Sequence, residues 1–261
     1  MMSNNSSYKN LLASINELNN KDTLSVYVPS VGNDVPFAPL TVKQQKLLLS
    51  SSVDTDFENL SFMNAINSII STNCKQSVRI LTTDKPLIVL QLREHAIGGT
   101  LKIEEDDTTH EINLSEHIAT CKSLDASISD NLEIEHDIIK ITCHVPDIAT
   151  DTKYNKQFTK KVQKPKSKEK LKVTDVIGDI YVSELVKYIQ AIIIGEDVVT
   201  PGVDVNISDM VNVFESLPMQ VSNKLAALVK QTRKFEIACL TPESLPEGVS
   251  ISIDASLFTT E

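Results

Sequence analysis

The sequence predicts an α+β protein in which helical units flank a small antiparallel β-layer. Two observations carry that expectation. Apolar residues recur at intervals of three and four in some stretches and at intervals of two in others, and the two kinds form separate runs rather than alternating βαβ units. Only seven glycines occur in 261 residues, too few for the many tight turns of a large β-sandwich or barrel. A hydrophobic content of 41% is enough for a packed core. The pattern divides into a flexible N-terminal arm over 1–22, an α+β body over 23–150, a Lys/Pro-rich linker over 151–172, a C-terminal helical unit over 173–240 and a tail over 241–261.

The arm is polar and rich in Asn and Ser, with a weak helical pattern at Leu11, Leu12, Ile15 and Leu18. It is expected to fray. TLSVYVPS alternates Leu24, Val26 and Val28, breaks at VGND and resumes at VPF, which is the pattern of a β-hairpin. Next comes VPFAPLTVKQQKLLLSS over 35–51. Thr41 and Gln44 stand in the T-x-x-Q relation of a capping box, so a helix over 42–50 follows. DTDFENLSFMNAINSIIS places Phe57, Leu60, Met63 and Ile66 on one face of a second helix. LTTDKPLIVLQLREHAIGG has a capping Thr83 or Asp84, Pro86 in the first turn and Gly98-Gly99 as terminator, which favours a buried helix over a buried strand.

From residue 99 to 146 the texture changes. TLKIEED, HEINL and LEIEHDIIKITCHV carry β-branched residues at period two and predict about four antiparallel strands. After the linker, TDVIGDIYVSELVKYIQAIIIG sets Ile177, Tyr181, Leu185, Tyr188 and Ile192 on one helical face, closed by Gly195. SDMVNVFESL and PMQVSNKLAALVKQTRKFE continue the helical period, and ISIDAS near the end suggests one last strand.

Catalytic patterns are thin. His95, His110, His117, His136 and His144 are scattered, with Glu116-His117 and the neighbours His144 and Asp147 the only pairs that could seed acid/base or metal chemistry. A metal-dependent enzyme using the histidines of the β-layer is the alternative function. Cys143 and His144 are adjacent on a strand and point to opposite faces, so they do not share an ion. The four cysteines, Cys74, Cys121, Cys143 and Cys239, show no C-x-x-C spacing and read as buried thiols. Cys121 as a nucleophile would need a base to which nothing in the sequence points. IEEDDTTHE lacks the layout of a calcium loop. No cofactor is expected. Arg93, after an apolar run, is the candidate for a structural ion pair.

Charge is split. Residues 153–172 carry nine lysines against one acid in a chain of net charge −10, so the remainder is strongly acidic and repels nucleic acid and anionic membranes. Lys160, Lys161, Lys164, Lys166 and Lys168 form either a solvated linker or a docking segment for an acidic protein partner. Without interleaved aromatics, nucleic acid is a poor third reading. No apolar run approaches the ~20 residues of a membrane helix, and the polar N-terminus is unlike a signal peptide. A cytoplasmic protein is expected.

Three stretches together resemble a known family: VYVPSVGNDVPFAPLTVKQQKLLLSS, then LTTDKPLIVLQLREHAIGG, then IYVSELVKYIQAIII followed by VFESLPMQVSNKLAALVKQTRKFE. Their order and spacing are similar to the T4-type bacteriophage baseplate hub assembly proteins, over residues 24–236. The resemblance implies a non-enzymatic tail protein of a myovirus. It would act in the infected bacterium as hub subunit or assembly chaperone, with other baseplate hub proteins as partners. The helix after Pro39 then gains a purpose. Its apolar residues lie on more than one face, so it either packs wholly into the core against the second helix or reserves part of its surface for a partner, with Phe37, Pro39, Leu40, Leu47 and Leu48 as the candidates.

Overall fold

The N-terminal arm carries a helix. In the computed structural model, which describes residues 4–51, 58–105, 108–127, 132–163 and 173–259, α1 runs over Asn4–Lys21. The weak pattern of four apolar residues was a true helical signal, although Tyr8, Leu11, Leu12, Ile15 and Leu18 all remain exposed on it. The chain then forms two compact units that are interleaved rather than consecutive. Unit 1 comprises residues 1–78, 86–123 and 239–261, and unit 2 comprises 79–85 and 124–238. The body, linker and helical unit expected from the sequence were consecutive blocks, so both units cut across them.

In unit 1, β1 (Leu24–Val28) and β2 (Asn33–Phe37) pair antiparallel around a turn in which Gly32 takes φ +70°. Val26, Val28, Val35 and Phe37 are buried, as the alternation demands. Helices α2 (Val42–Ser51) and α3 (Glu58–Asn73) follow. Pro86 stands in the first turn of a helix, as expected, while Thr83 and Asp84 lie inside the turn that precedes it. A short 3-10 turn, Thr82–Asp84, leads into α4 (Lys85–Ile97), and the Asp84 carboxylate accepts from the Leu81 amide at 2.7 Å. Leu87 to Leu90 are all fully buried, and Gly98 ends the helix at φ +128°. The hairpin β3 (Thr100–Glu105) and β4 (Thr108–Asn113) sets buried Leu101 opposite buried Ile112.

Residues after HEINL, to which the sequence reading gave no element, form α5 (Leu114–Ser123) between the second and third of the four expected strands. Asn113 makes the helix start, its side-chain oxygen accepting from the amides of Ser115 (3.1 Å) and Glu116 (3.4 Å). The β-layer is accordingly two separate sheets. At the C-terminus, ISIDAS forms no ladder. Residues 251–253 are irregular, the Ile251 amide donates to the Leu240 carbonyl at 2.7 Å, and a 3-10 turn, Ala255–Phe258, seats Leu257 and Phe258 in the core.

Unit 2 holds a four-stranded antiparallel sheet in chain order: β5 (Leu132–His136), β6 (Ile139–Cys143), β7 (Ile189–Ile194) and β8 (Asp197–Val199). Ile134, Ile141, Ile192 and Val199 stand in register across all four strands. The first three are fully buried, each contributing about 1.5–3 kcal/mol of apolar transfer. Helices α6 (Ile148–Gln163), α7 (Val173–Val186), α8 (Ile207–Glu215) and α9 (Met219–Thr232) lie in the same unit. Leu185, Met210, Phe214, Val221 and Leu225 from the last three join the isoleucine row in one core. On the strands' other side Lys140 pairs with Glu133 at 2.8 Å. The last helix, α10 (Lys234–Leu240), ends at the return to unit 1.

Two sequence expectations change here. The single helix over 174–195 is α7 plus the strand β7. Gly195, read as a helix cap, has φ +62° but turns the β7–β8 hairpin. The first half of the expected linker is the helix α6, begun by the Asp147 carboxylate accepting from the Thr150 amide at 2.8 Å.

Candidate functional site

Each candidate site is built from different elements, and the α2 region is the most completely connected. The Thr41 amide donates to Gln44 Oε1 at 3.0 Å, and the Gln44 amide donates to Thr41 Oγ1 at 3.3 Å, closing the capping box. Gln44 Nε2 also donates to Asn73 Oδ1 at 2.6 Å, while Asn73 Nδ2 donates to the carbonyls of Ala38 (3.1 Å) and Pro39 (3.3 Å). Gln45 Nε2 donates to the Phe258 carbonyl at 2.8 Å. The paired glutamines thus fasten α2 to α3 and to the C-terminal turn.

This fastening splits the expected partner-binding set. Phe37 and Leu48 are fully buried, so they are core residues and belong to no accessible surface. Pro39 and Leu40 are half-buried. Leu47 is 44% exposed, and Val42, which the sequence reading passed over, is 82% exposed.

Among the described residues Arg93 makes no ion pair. It is buried, its Nε donates to the Leu257 carbonyl at 3.3 Å, and its Nη1 donates to the Gly98 carbonyl. Burial lowers its pKa. The guanidinium tethers the C-terminal turn to the end of α4, beside an open groove of about 630 Å³ lined by Lys102, Glu104, Ser252 and Asp254 among others. Of the lysine candidates, Lys160 and Lys161 fall on α6, and Lys164, Lys166 and Lys168 lie outside the described residues.

The histidines do not converge. His110 is on β4, His117 on α5, His136 on β5, and His144 follows β6. Burial lowers the His144 pKa, Arg79 adds to that, and Asp147 opposes it. Asp147 is engaged by Arg79 at 3.4 Å and by the Thr150 amide. Among the described residues, no three His, Cys, Asp or Glu side chains are arranged to hold a metal ion.

The base that Cys121 lacked in the sequence is His117, one helical turn earlier. The Cys121 sulfur is 3.5 Å from His117 Nε2, and the same nitrogen is 2.8 Å from the Cys239 carbonyl oxygen. Cys239 and His117 favour ionisation, burial opposes it, and Cys121 is held down to about 5. The same pairing raises His117. Burial alone pushes Cys143 up to about 12. The signal for this arrangement was present: Asn113 and Glu116 are spaced as a helix cap, and a helix there stacks residues 117 and 121.

Unit 2 contains a second buried polar cluster that the sequence did not suggest. Asp151 Oδ2 accepts from Lys85 Nζ and Oδ1 from Lys187 Nζ, both at 2.8 Å. Lys187 Nζ also donates to Asn155 Oδ1 at 2.8 Å and to Glu184. Two cations face two carboxylates, and three of the four side chains are nearly inaccessible to water. Each Asp151 oxygen and the Lys187 ammonium is thus engaged inside the unit, which pins α6 to the end of α7.

The family model described as T4 bacteriophage base plate protein matches residues 20–241, from before β1 to the end of α10. The chain belongs to that family. No curated protein and no solved structure matches it. The baseplate protein has a structural role in the phage tail, and none of its described helices is long and apolar enough to cross a membrane.

Proposed function

We propose that this baseplate protein is a non-enzymatic component or assembly factor of the central hub of the contractile-tail baseplate, working through contacts with other hub proteins. The match to the baseplate family over residues 20–241 carries the reading. It acts in the cytoplasm of the infected bacterium while the tail is built. Val42 and Leu47 on α2 offer exposed apolar side chains to a partner. The lysines from 160 to 172 supply countercharge for an acidic one.

The test is co-expression with the other tail proteins of the same genome, followed by affinity capture and mass spectrometry. A stoichiometric complex with a hub protein is expected. Capture of the chain alone, with every hub component present and soluble, would sink the hub reading. Mass spectrometry of purified particles then separates a resident subunit from an assembly factor that departs.

A further inference from the structure

We propose that the groove along the outer edge of β3 is a docking site for the C-terminal end of a partner protein, which adds as an extended strand antiparallel to β3 and places its terminal carboxylate on Arg93. The inference rests on a buried cation and an open strand edge within unit 1 and does not depend on the hub reading.

The cation creates the demand. Arg93 is 5% exposed, so little water solvates its charge. Its partners among the described residues are two carbonyls, that of Leu257 through Nε at 3.3 Å and that of Gly98 through Nη1, and neither is a counterion. A guanidinium has five N–H donors, and Nη2 makes no hydrogen bond among the described residues. A buried charge without a counterion is costly. Arg93 is not sealed off, because it lines the open groove of about 630 Å³. An anion entering there finds a charged donor that has already lost most of its water.

The strand edge decides what carries the anion. Consecutive residues 98–104 line the groove. Alternate residues of a strand face opposite sides, so an unbroken run marks the edge of β3 rather than one face. The β3–β4 sheet has two strands. The Leu114 amide donates to the Gly99 carbonyl at 2.7 Å, and the register sets Leu101 against Ile112 and Ile103 against His110. Bonds to β4 therefore fall at odd positions of β3, and the main-chain groups of Thr100, Lys102 and Glu104 turn away from β4. Ser250 and Ser252 stand among the other lining residues. An extended peptide in the groove meets main-chain donors and acceptors at strand spacing.

Direction follows from where the charges sit. Arg93 donates to the Gly98 carbonyl, so its guanidinium is at the start of β3, whereas Glu104 is near the end. A strand antiparallel to β3 runs from Glu104 toward Gly98 and finishes at Arg93. Its side chains project perpendicular to the sheet, while a terminal carboxylate lies along the strand, toward the guanidinium. Asp254 also lines the groove, but its carboxylate accepts from the Ser256 amide at 2.9 Å. The edge is about 20 Å long, so about six residues of the partner cover it.

The experiment uses the native full chain and a random peptide library displayed with free C-termini. Enriched peptides are synthesised as free acids and as C-terminal amides, and affinities are measured by fluorescence anisotropy. The expected result is binding of the acids and a loss of about tenfold or more on amidation. A selection that enriches no peptide overturns the proposal, and so does equal binding of acid and amide. Arg93→Gln should weaken the acid by a similar factor and leave the amide unchanged. Amidation probes the same contact from the peptide side, so a variant that fails to fold does not rescue the idea.

Thr100→Pro tests the edge. The Thr100 amide faces away from β4, so the ladder stays whole and the melting temperature holds. Peptide binding should fall about tenfold, the loss of one main-chain donor. Native-like binding by this variant overturns strand addition. A native chain that elutes as a dimer, and as a monomer once Thr100→Pro is made, assigns the edge to a second copy and likewise overturns the proposal.

Discussion

Asp151 has almost no water to hold its charge, and its two lysines supply what water would. Burial alone would raise its pKa, but Lys85 and Lys187 more than offset that, and the carboxyl sits well below the usual carboxylate range. Asp151→Asn keeps the shape and leaves two buried ammonium groups facing one carboxylate. The expected cost is about 3–5 kcal/mol, read from the guanidinium midpoint against the native chain. The pH dependence has a definite sign. A depressed acid stabilises the fold above its unfolded pKa of about 4, and that stability is lost as pH falls through the lower folded value. The gap between native chain and variant should stay constant from neutral pH to about pH 5 and narrow only below about pH 4. A gap that begins to close near pH 6 would mean another group controls it. None of this was readable from the sequence, because residues 85, 151 and 187 are united only by tertiary packing.

At the scale of elements, the helices that were legible are those with chemistry at their ends. The T-x-x-Q box announced α2, and the Asp84, Pro86 and Gly98 signals announced α4. Thr41→Ala removes one side of the box and should cost about 1 kcal/mol in thermal or denaturant unfolding. Gln44→Ala should cost more, because Gln44 also donates to Asn73, whose amide holds the carbonyls of Ala38 and Pro39. Equal losses in the two variants would show that the Asn73 link contributes nothing. The misread elements failed for physical reasons. Ile192 continues the helical spacing of Leu185 and Tyr188 by coincidence, while β7 exists because Ile141 of β6 and Val199 of β8 pair on either side of it. Gly195 gave no warning, since a helix cap and a hairpin turn both ask for positive φ. The partner-binding set split because apolar spacing on α2 does not reveal which faces α3 and the C-terminal turn already occupy. Leu48 went to the core and Leu47 to solvent.

At the scale of the whole molecule, the interleaving of the units changes what a fragment can do. The long segment of unit 2, residues 124–238, is the piece that a single excision would take. Unit 2, however, also needs the seven-residue strip 79–85. Within it, the Thr82 amide donates to the Pro146 carbonyl at 2.9 Å, and the Ile80 carbonyl accepts from the Ile148 amide at 3.0 Å. Leu81 packs against the sheet core, and Lys85 neutralises Asp151. Removing the strip takes away two backbone hydrogen bonds, a buried leucine contact and one of the two cations that hold Asp151. The buried group then carries one cation against two carboxylates. Lost hydrogen bonds cost about 1 kcal/mol each, and a broken buried pair costs several times that, which together is a large share of a domain's ~5–15 kcal/mol. The excised 124–238 fragment should therefore melt far below the full chain by circular dichroism, or show no cooperative transition. A fragment that unfolds at the same temperature as the intact protein would mean that the strip is bystander structure.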